Sequence, residues 1–174
     1  MTDEPARFPV HPARLPEPEL LRDCEVLRTR RSGPGGQHRN KVETAIVITY
    51  VPTGTRAEAN ERRRQADNRR VAIRRLRLNL ALEVRSPFDG DDPSPLWSDR
   101  CHSGKIAINV DHADYPSLLS EALDALAAHD WNVSQTSESL HCTSSQLVNL
   151  LRKEPRALAA VNKIRRTREL GPLR

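Results

Sequence analysis

Aromatic residues are scarce: two Trp, two Tyr and two Phe, 3% of 174 residues. Stacking on aromatic platforms therefore cannot be the main grip of this chain on any nucleic acid. Cysteine is also sparse. Cys24, Cys101 and Cys142 are odd in number and widely spaced, and no Cys-x-x-Cys occurs. The adjacent pairs Cys101-His102 and His141-Cys142 suit one metal ion poorly without other ligands. No metal or other cofactor is expected, and the thiols read as free in a reducing compartment. No run approaches the ~18 apolar residues of a membrane span. The N-terminus lacks an apolar signal core, and Asp3 and Glu4 argue against a mitochondrial presequence. These absences point away from a membrane protein, a disulfide scaffold and a metalloenzyme, and toward the cytoplasm; the chain is expected to be a monomer. Hydrophobic residues make up 37% of the chain, enough for small cores but not for one large core.

Charge is present in quantity and unevenly placed. The net charge is +5, yet residues 22–85 hold sixteen Lys/Arg against seven Asp/Glu, residues 86–131 two against nine, and residues 132–174 eight against three. Two basic blocks around an acidic one read as two polyanion contacts. A charge run is more often a solvated face. Here eight arginines fall in the seventeen positions from Arg62 to Leu78, and that density favours phosphate recognition.

Periodicity indicates an α+β chain in four parts. Residues 1–18, with Pro5, Pro9, Pro12, Pro16 and Pro18, read as a flexible arm. Residues 19–85 read as a small domain, a few-stranded antiparallel sheet packed with a long basic helix. A short turn over 19–23 leads to a strand over Cys24–Thr29, a loop, and a β-branched strand over 45–51. The turn Pro52-Thr53-Gly54 and a returning strand over Thr55–Ala59 follow. A helix then runs from Asn60, its N-cap, to about Arg85. Val71, Ile73, Leu76, Leu78, Leu80 and Leu82 supply its apolar stripe, although the alternation near the end also fits a strand or a frayed turn. Arg63, Arg64, Arg69, Arg70, Arg74, Arg75 and Arg77 occupy much of the remaining surface.

Residues 86–98, with three prolines, one glycine and three aspartates, read as an acidic linker. Residues 99–174 read as a helical module. Residues 105–110 form a short strand or an extended lead-in. A helix capped by Asp114, with Pro116 in its first turn, carries Leu118, Leu119, Ala122, Leu123, Leu126 and Ala127 to near His129. Segments 133–140 and 144–153, broken at His141-Cys142-Thr143, resemble a helix–turn–helix pair packed by Leu140, Leu147, Leu150 and Leu151. A last helix opens at Pro155, carries Ala159, Val161 and Ile164, and ends before Gly171-Pro172.

The loop of the first domain is the most informative stretch. It reads Arg31-Ser32-Gly33-Pro34-Gly35-Gly36-Gln37-His38-Arg39-Asn40-Lys41. Three glycines and a proline crowd one side of a single glutamine, and basic residues flank both ends. Such a loop can bring bare backbone N–H groups close to an anionic or ester-bearing polymer.

Gly35-Gly36-Gln37 resembles the signature tripeptide of class I peptide chain release factors, the family that hydrolyses the ester joining a nascent peptide to its transfer RNA. The surroundings match too: a strand, a Gly-rich loop ending in His38-Arg39-Asn40-Lys41, a strand, Pro52-Thr53-Gly54, a strand and a long basic helix. The resemblance spans about residues 20–85. It implies peptidyl-tRNA and the ribosome as partners, with ribosomal RNA near the peptidyl-transferase centre as the ligand of the basic surface. Gly35, Gly36 and Gln37 are then the catalytic residues, and Ser32, Gly33, Pro34, His38 and Asn40 position the loop. Arg31, Arg39, Lys41, Arg63, Arg64, Arg69, Arg70, Arg74 and Arg75 are the RNA-binding candidates.

Nothing in this loop is a strong base at neutral pH. Gln37 cannot ionise, and its amide offers donors and an acceptor. Gln37 reads as shaping a water pocket with its side chain while its backbone N–H faces the developing oxyanion. One such donor is worth about 3 kcal/mol, and orientation can reach roughly 7–11 kcal/mol. Gly35 and Gly36 allow a close approach, and Pro34 limits loop entropy. Histidine titrates near neutrality, but His38 fits the family pattern as a positioning residue and not as a general base. Asn40 ties the loop to backbone, and Glu43 is placed to pair with an arginine of the helix.

Ser86-Pro87-Phe88 matches a tripeptide with which one release-factor subtype reads stop codons. In the family that tripeptide lies in a separate domain upstream of the catalytic loop, whereas here it lies downstream. A codon-reading domain is therefore expected to be absent, as in codon-independent factors that free stalled ribosomes. The known rescue type carries a disordered Lys/Arg-rich tail. This chain departs from it, with basic residues spread among apolar ones in a helical C-terminus.

Two other functions fit the sequence. One is a non-catalytic ribosome- or RNA-binding protein of the same fold. The other is a DNA-binding regulator that uses the helix–turn–helix-like pair, with Gln146, Asn149, Arg152 and Lys153 toward nucleic acid. An ordinary helical hairpin is the preferred reading of that pair. Arg152, Lys153, Arg165 and Arg166 are the candidate RNA contacts of the C-terminal module.

Overall fold

The computed structural model describes residues 8–29, 44–88 and 92–174. The fold is α+β, with a small antiparallel sheet and seven α-helices among the described residues. The chain divides into two compact units, Pro12–Val84 and Arg85–Arg174 with the residues before Pro12.

The first unit opens with a 3-10 turn, Pro12–Arg14, and helix α1, Glu17–Arg22. Strands β1 (Cys24–Thr29), β2 (Ala45–Tyr50) and β3 (Thr55–Ala59) form one antiparallel sheet in the order β1-β2-β3. β-Branched side chains suit the central strand, and Ile46, Val47 and Ile48 are buried there. Gly54 closes the β2–β3 turn with φ +72°, a conformation that side chains with a Cβ rarely adopt. Helix α2, Gln65–Glu83, packs on β2 and β3. Its buried row is Ala72, Leu76 and Leu80, one turn apart, widened by Ile73 and Ala81. Each fully buried leucine contributes roughly 1.5–3 kcal/mol. At the far end of α2, the Thr55 hydroxyl donates to Glu83 at 2.8 Å.

Several expectations are corrected here. α2 begins at Gln65, not Asn60, and its N-cap Arg64 makes no side-chain cap bond. Asn60 lies in a lead-in that Asn68 holds outside the helix. Val71, Leu78 and Leu82 are only half-buried. Their alternation does not mark a strand, because the helix continues to Glu83. The stretch read as a flexible arm contains an ordered part. Ala13 is fully buried, and Arg77 donates to the carbonyls of Ala13 and Leu15, both at 2.7 Å. Proline removes donors but leaves carbonyls, and the Arg77 guanidinium satisfies two of those in this segment.

The second unit contains α3 (Pro95–Arg100), the two-residue strands β4 (Cys101–His102) and β5 (Lys105–Ile106), α4 (Tyr115–Ala128), α5 (Val133–Ser139), α6 (Ser144–Arg152) and α7 (Pro155–Thr167). Every residue of α4 from Tyr115 to Leu126 is buried, including Glu121 and Asp124. Buried carboxylates need donors, and the stretch read as a linker provides them. Ser94 donates to Glu121 from its N–H (2.6 Å) and its hydroxyl (2.5 Å). The Arg85 guanidinium (3.2 Å) and the Ser86 N–H (3.1 Å) donate to Asp124. Both ends of the segment are thus tied to α4, and α3 begins inside it at Pro95.

Asp114 precedes α4 but makes no side-chain cap. Its carboxylate takes Arg100 at 2.7 Å instead. Leu140, Leu147, Leu150 and Leu151 are all buried in the α5–α6 pair. Trp97 and Tyr115 close over them, donating to the carbonyls of Leu140 (2.8 Å) and Leu150 (3.1 Å). The buried face of α7 is Ala157 and Val161, one turn apart, whereas Ala159 is exposed. No helix among the described residues is long and apolar enough to cross a membrane.

Arg77→Met keeps the stem and removes the donors to Ala13 and Leu15. We expect a loss of about 2 kcal/mol in urea unfolding. A second test concerns Glu154, which caps α7 by accepting from the Arg156 N–H at 3.1 Å. The hydrogen bond from the Arg156 side chain holds the Glu154 carboxyl below its ordinary 4.5, against the opposing effect of burial. The folded-state value is the lower one, so the cap stabilises fully above pH 4.5 and is lost as pH falls through the folded value. Thermal melts from about pH 7 to about pH 3 should therefore fall less steeply in Glu154→Gln than in the parent chain.

Candidate nucleic-acid interface

β1 and β2 are joined through residues 30–43. Gly35, Gly36 and Gln37, with Arg31, Ser32, Gly33, Pro34, His38, Arg39, Asn40, Lys41 and Glu43, lie outside the described residues. What is described is the frame around them. The β1–β2 register sets Thr29 opposite Ala45, so the connection leaves and re-enters at one end of the sheet. The β2–β3 register sets Ile46 opposite Ala59, which brings the end of β3 to that same end. The segment 60–64 therefore starts beside the root of the loop.

Asn68, fully buried in the first turn of α2, joins these parts. Its Oδ1 accepts the Arg62 N–H at 2.8 Å. Its Nδ2 donates to the Thr44 carbonyl at 2.7 Å and to the Arg62 carbonyl at 3.0 Å. One flat amide offers an acceptor and two donors, and all of these functions are used. Sequence reasoning missed this residue, although a signal was present. Asn68 continues the row Ala72, Leu76 and Leu80 by one turn, a polar side chain in line with an apolar stripe.

The arginines divide by their partners. Arg63 and Arg64 are exposed and make no ion pair among the described residues. Arg69 pairs with Glu17 at 3.1 Å, and Arg70 pairs with Asp67 one turn away. Such exposed pairs are worth ~0–1 kcal/mol and exchange readily for a phosphate. Arg74 is half-buried on the same helix. Arg75 is more fully engaged, donating to the Glu58 carbonyl (2.7 Å) and to both Glu61 oxygens (2.7 and 3.2 Å). Burial acts to raise the Glu61 carboxyl, but hydrogen bonds from the Glu61 and Asn60 N–H groups and from Arg75 outweigh it and hold the group low. Arg77 serves the fold.

In the second unit most of the proposed contacts are already engaged. Gln146 accepts the Ile106 N–H at 3.3 Å, and Asn149 accepts Arg152 at 2.7 Å. Arg152 also donates to the Arg174 carbonyl and Lys153 to that of Ile108. Arg165 donates to the carbonyls of Gly171 (2.9 Å) and Trp131. Arg166 is exposed and makes no ion pair among the described residues. The structure thus does not gather the four into one unengaged cluster. Cys101 and the His141-Cys142 pair do come together, the Cys101 thiol lying 3.5 Å from the His141 carbonyl. Burial raises Cys101 and pushes Cys142 up to about 12, with Cys101 adding to the latter. Burial, then Asp23, raises Cys24 to about 11. These thiols stay protonated at neutral pH and are poor nucleophiles. Among the described residues no three of His, Cys, Asp or Glu are grouped to hold a metal ion.

Residues 21–88 match the family described as the RF-1 domain. The chain is 31% identical over 140 residues to "Peptide chain release factor 1" of Malacoplasma penetrans (strain HF-2), covering 67% of this chain and 39% of that protein. It is 40% identical over 84 residues to "Peptide chain release factor 1" of Xylella fastidiosa (strain 9a5c), covering 48% of this chain and 21% of that one. The matches thus span well under half the length of these relatives. A three-stranded sheet backed by a basic helix, with a glycine-rich connection rooted beside exposed arginines, defines an α+β domain suited to a polyanion. Through its RF-1 domain the chain belongs to the class I release factor family.

Replacing Arg63 and Arg64 together by Ala should weaken ribosomal RNA binding. It should also reduce the slope of log affinity against log salt by about 2. Arg75→Ala should change the slope less, because Glu58 and Glu61 already occupy that guanidinium. Filter binding across a salt series measures both.

Proposed function

We propose that this chain hydrolyses the peptidyl-tRNA ester on the ribosome and releases the nascent peptide, and that it does so independently of the codon, rescuing stalled ribosomes. The observation that carries the reading is the RF-1 match over residues 21–88, a span that includes Gly35-Gly36-Gln37. Water attacks the ester carbonyl carbon and forms a tetrahedral oxyanion. Its collapse breaks the bond to the transfer RNA ribose oxygen, which takes a proton, and the peptide leaves as a carboxylic acid. The Gln37 backbone N–H stabilises the oxyanion, its side chain places the water, and Gly35 and Gly36 let the backbone reach the ester. Ser32, Gly33, Pro34, His38 and Asn40 shape the loop. Arg31, Arg39, Lys41, Arg63 and Arg64 hold ribosomal RNA, joined by Arg69 and Arg70 as their exposed pairs exchange. The chain acts as a monomer in the cytoplasm, with the ribosome and peptidyl-tRNA as partners. Its parts are the 19–85 catalytic domain and the 99–174 helical module.

Codon independence is supported by the Ser86-Pro87-Phe88 tripeptide. Ser86 is buried with its N–H on Asp124, and the Phe88 ring meets His129 edge-on at 6.1 Å. Pro87 between them is exposed, but Ser86 and Phe88 held this way are not presented to a codon. The DNA-binding alternative loses support from the α6 side chains, since Gln146 is engaged by Ile106.

Ribosomes loaded with peptidyl-tRNA on truncated, stop-containing or sense-only messages test the proposal. Release is expected on truncated messages without need of a stop codon. Gln37→Ala and Gly36→Ala should each slow it by at least about 100-fold while sparing ribosome binding. Undiminished release by both variants overturns the catalytic reading, and release confined to stop-containing messages overturns the rescue reading.

A further inference from the structure

We propose that Asn68 is a positioning residue for peptide release, whose single amide holds the root of the hydrolytic loop and the arginine segment in fixed relation. The inference rests on the function proposed above.

The geometry is specific. Residues 60–64 carry three successive exposed arginines, Arg62, Arg63 and Arg64. Arg62 and Arg63 lie ahead of the first helical hydrogen bonds, which the Arg64 carbonyl accepts from the Asp67 and Asn68 N–H groups, so the helical ladder does not fix the path of those two. Asn68 fixes it by closing on both the N–H (2.8 Å) and the carbonyl (3.0 Å) of Arg62. The same Nδ2 reaches the carbonyl of Thr44 at 2.7 Å, immediately before β2. Thr44 is the residue through which the chain returns from the loop. Phosphate grip and ester presentation therefore share one rigid point, held beneath the surface by a helix whose next turns are packed on the sheet. Displacing a reacting group by about 1 Å can slow a reaction about 100-fold. The link between Thr44 and Arg62 sets a spacing of that kind.

Asn68→Asp keeps the size and the acceptor for the Arg62 N–H, but sets an acceptor against two carbonyls. Asn68→Ser keeps one short donor. In single-turnover release the saturating rate of both variants should fall about 10- to 100-fold. The half-saturating concentration should rise by less than about threefold, because Arg63 and Arg64 remain on the surface. Thr55→Val removes the bond to Glu83 at the other end of α2. It should lower the melting temperature without changing the release rate. The inference is overturned if folded Asn68 variants release within about twofold of the parent, or if Thr55→Val slows release equally. If neither Asn68 variant folds, amide exchange on the parent chain decides. The Arg62 N–H should exchange about tenfold or more slowly than those of Arg63 and Arg64, and equal exchange overturns the clamp. A parent chain that releases no peptide in any arm defeats the proposed function itself, a distinct failure.

Discussion

Burial of one face of α2 against β2 and β3 is the constraint on which the first unit depends. Ala72, Leu76 and Leu80 form a row one turn apart, and all three are fully buried. Extending that row by one turn reaches Asn68, so the packing that buries Leu76 also carries a polar amide under Thr44 and Arg62. Rotation about the helix then assigns the arginines. Arg77 faces the 3-10 turn and serves the fold, Arg75 meets Glu58 and Glu61, and Arg70 stays exposed. A uniform basic surface in the sequence becomes a graded one, because each guanidinium is as available as its nearest carbonyl or carboxylate allows.

The second unit is organised by buried acid. Glu121 and Asp124 lie on a helix with no solvent on either, and a carboxylate there is tolerable only with donors. Backbone N–H groups at Ser86 and Ser94, with Arg85, meet that need and order the intervening chain at both ends. Ser86 and Phe88 are thereby made part of a packed structure, which bears directly on the codon-independent reading.

The release proposed for this chain would require no ionisable nucleophile. The three thiols are raised by burial, and the loop offers a neutral amide. Water held beside an activated ester, with an N–H aimed at the growing charge, is sufficient in principle because positioning and oxyanion stabilisation are each worth several kcal/mol. Such chemistry places its demands on backbone placement, which is why hydrogen bonds at the root of the loop matter.

Much was legible in the sequence itself. The β-branched run at 45–51, the Pro-Thr-Gly turn, the helices of the second unit and the buried leucines at 140, 147, 150 and 151 all follow from local periodicity and turn chemistry. The glycine-rich loop carried its own resemblance to a known family. What the sequence alone misplaced were interactions between residues distant along the chain. These include the start of α2, expected at Asn60 and found at Gln65, the proline-rich turn held by Arg77, and the acidic stretch fastened to α4. Local pattern determines which segments become helix or strand, since their hydrogen bonds close within a few residues. Only the tertiary structure decides which arginine is free, which amide is buried and which carbonyl it meets, because those partners lie 17 to 64 positions apart and are brought together by packing alone.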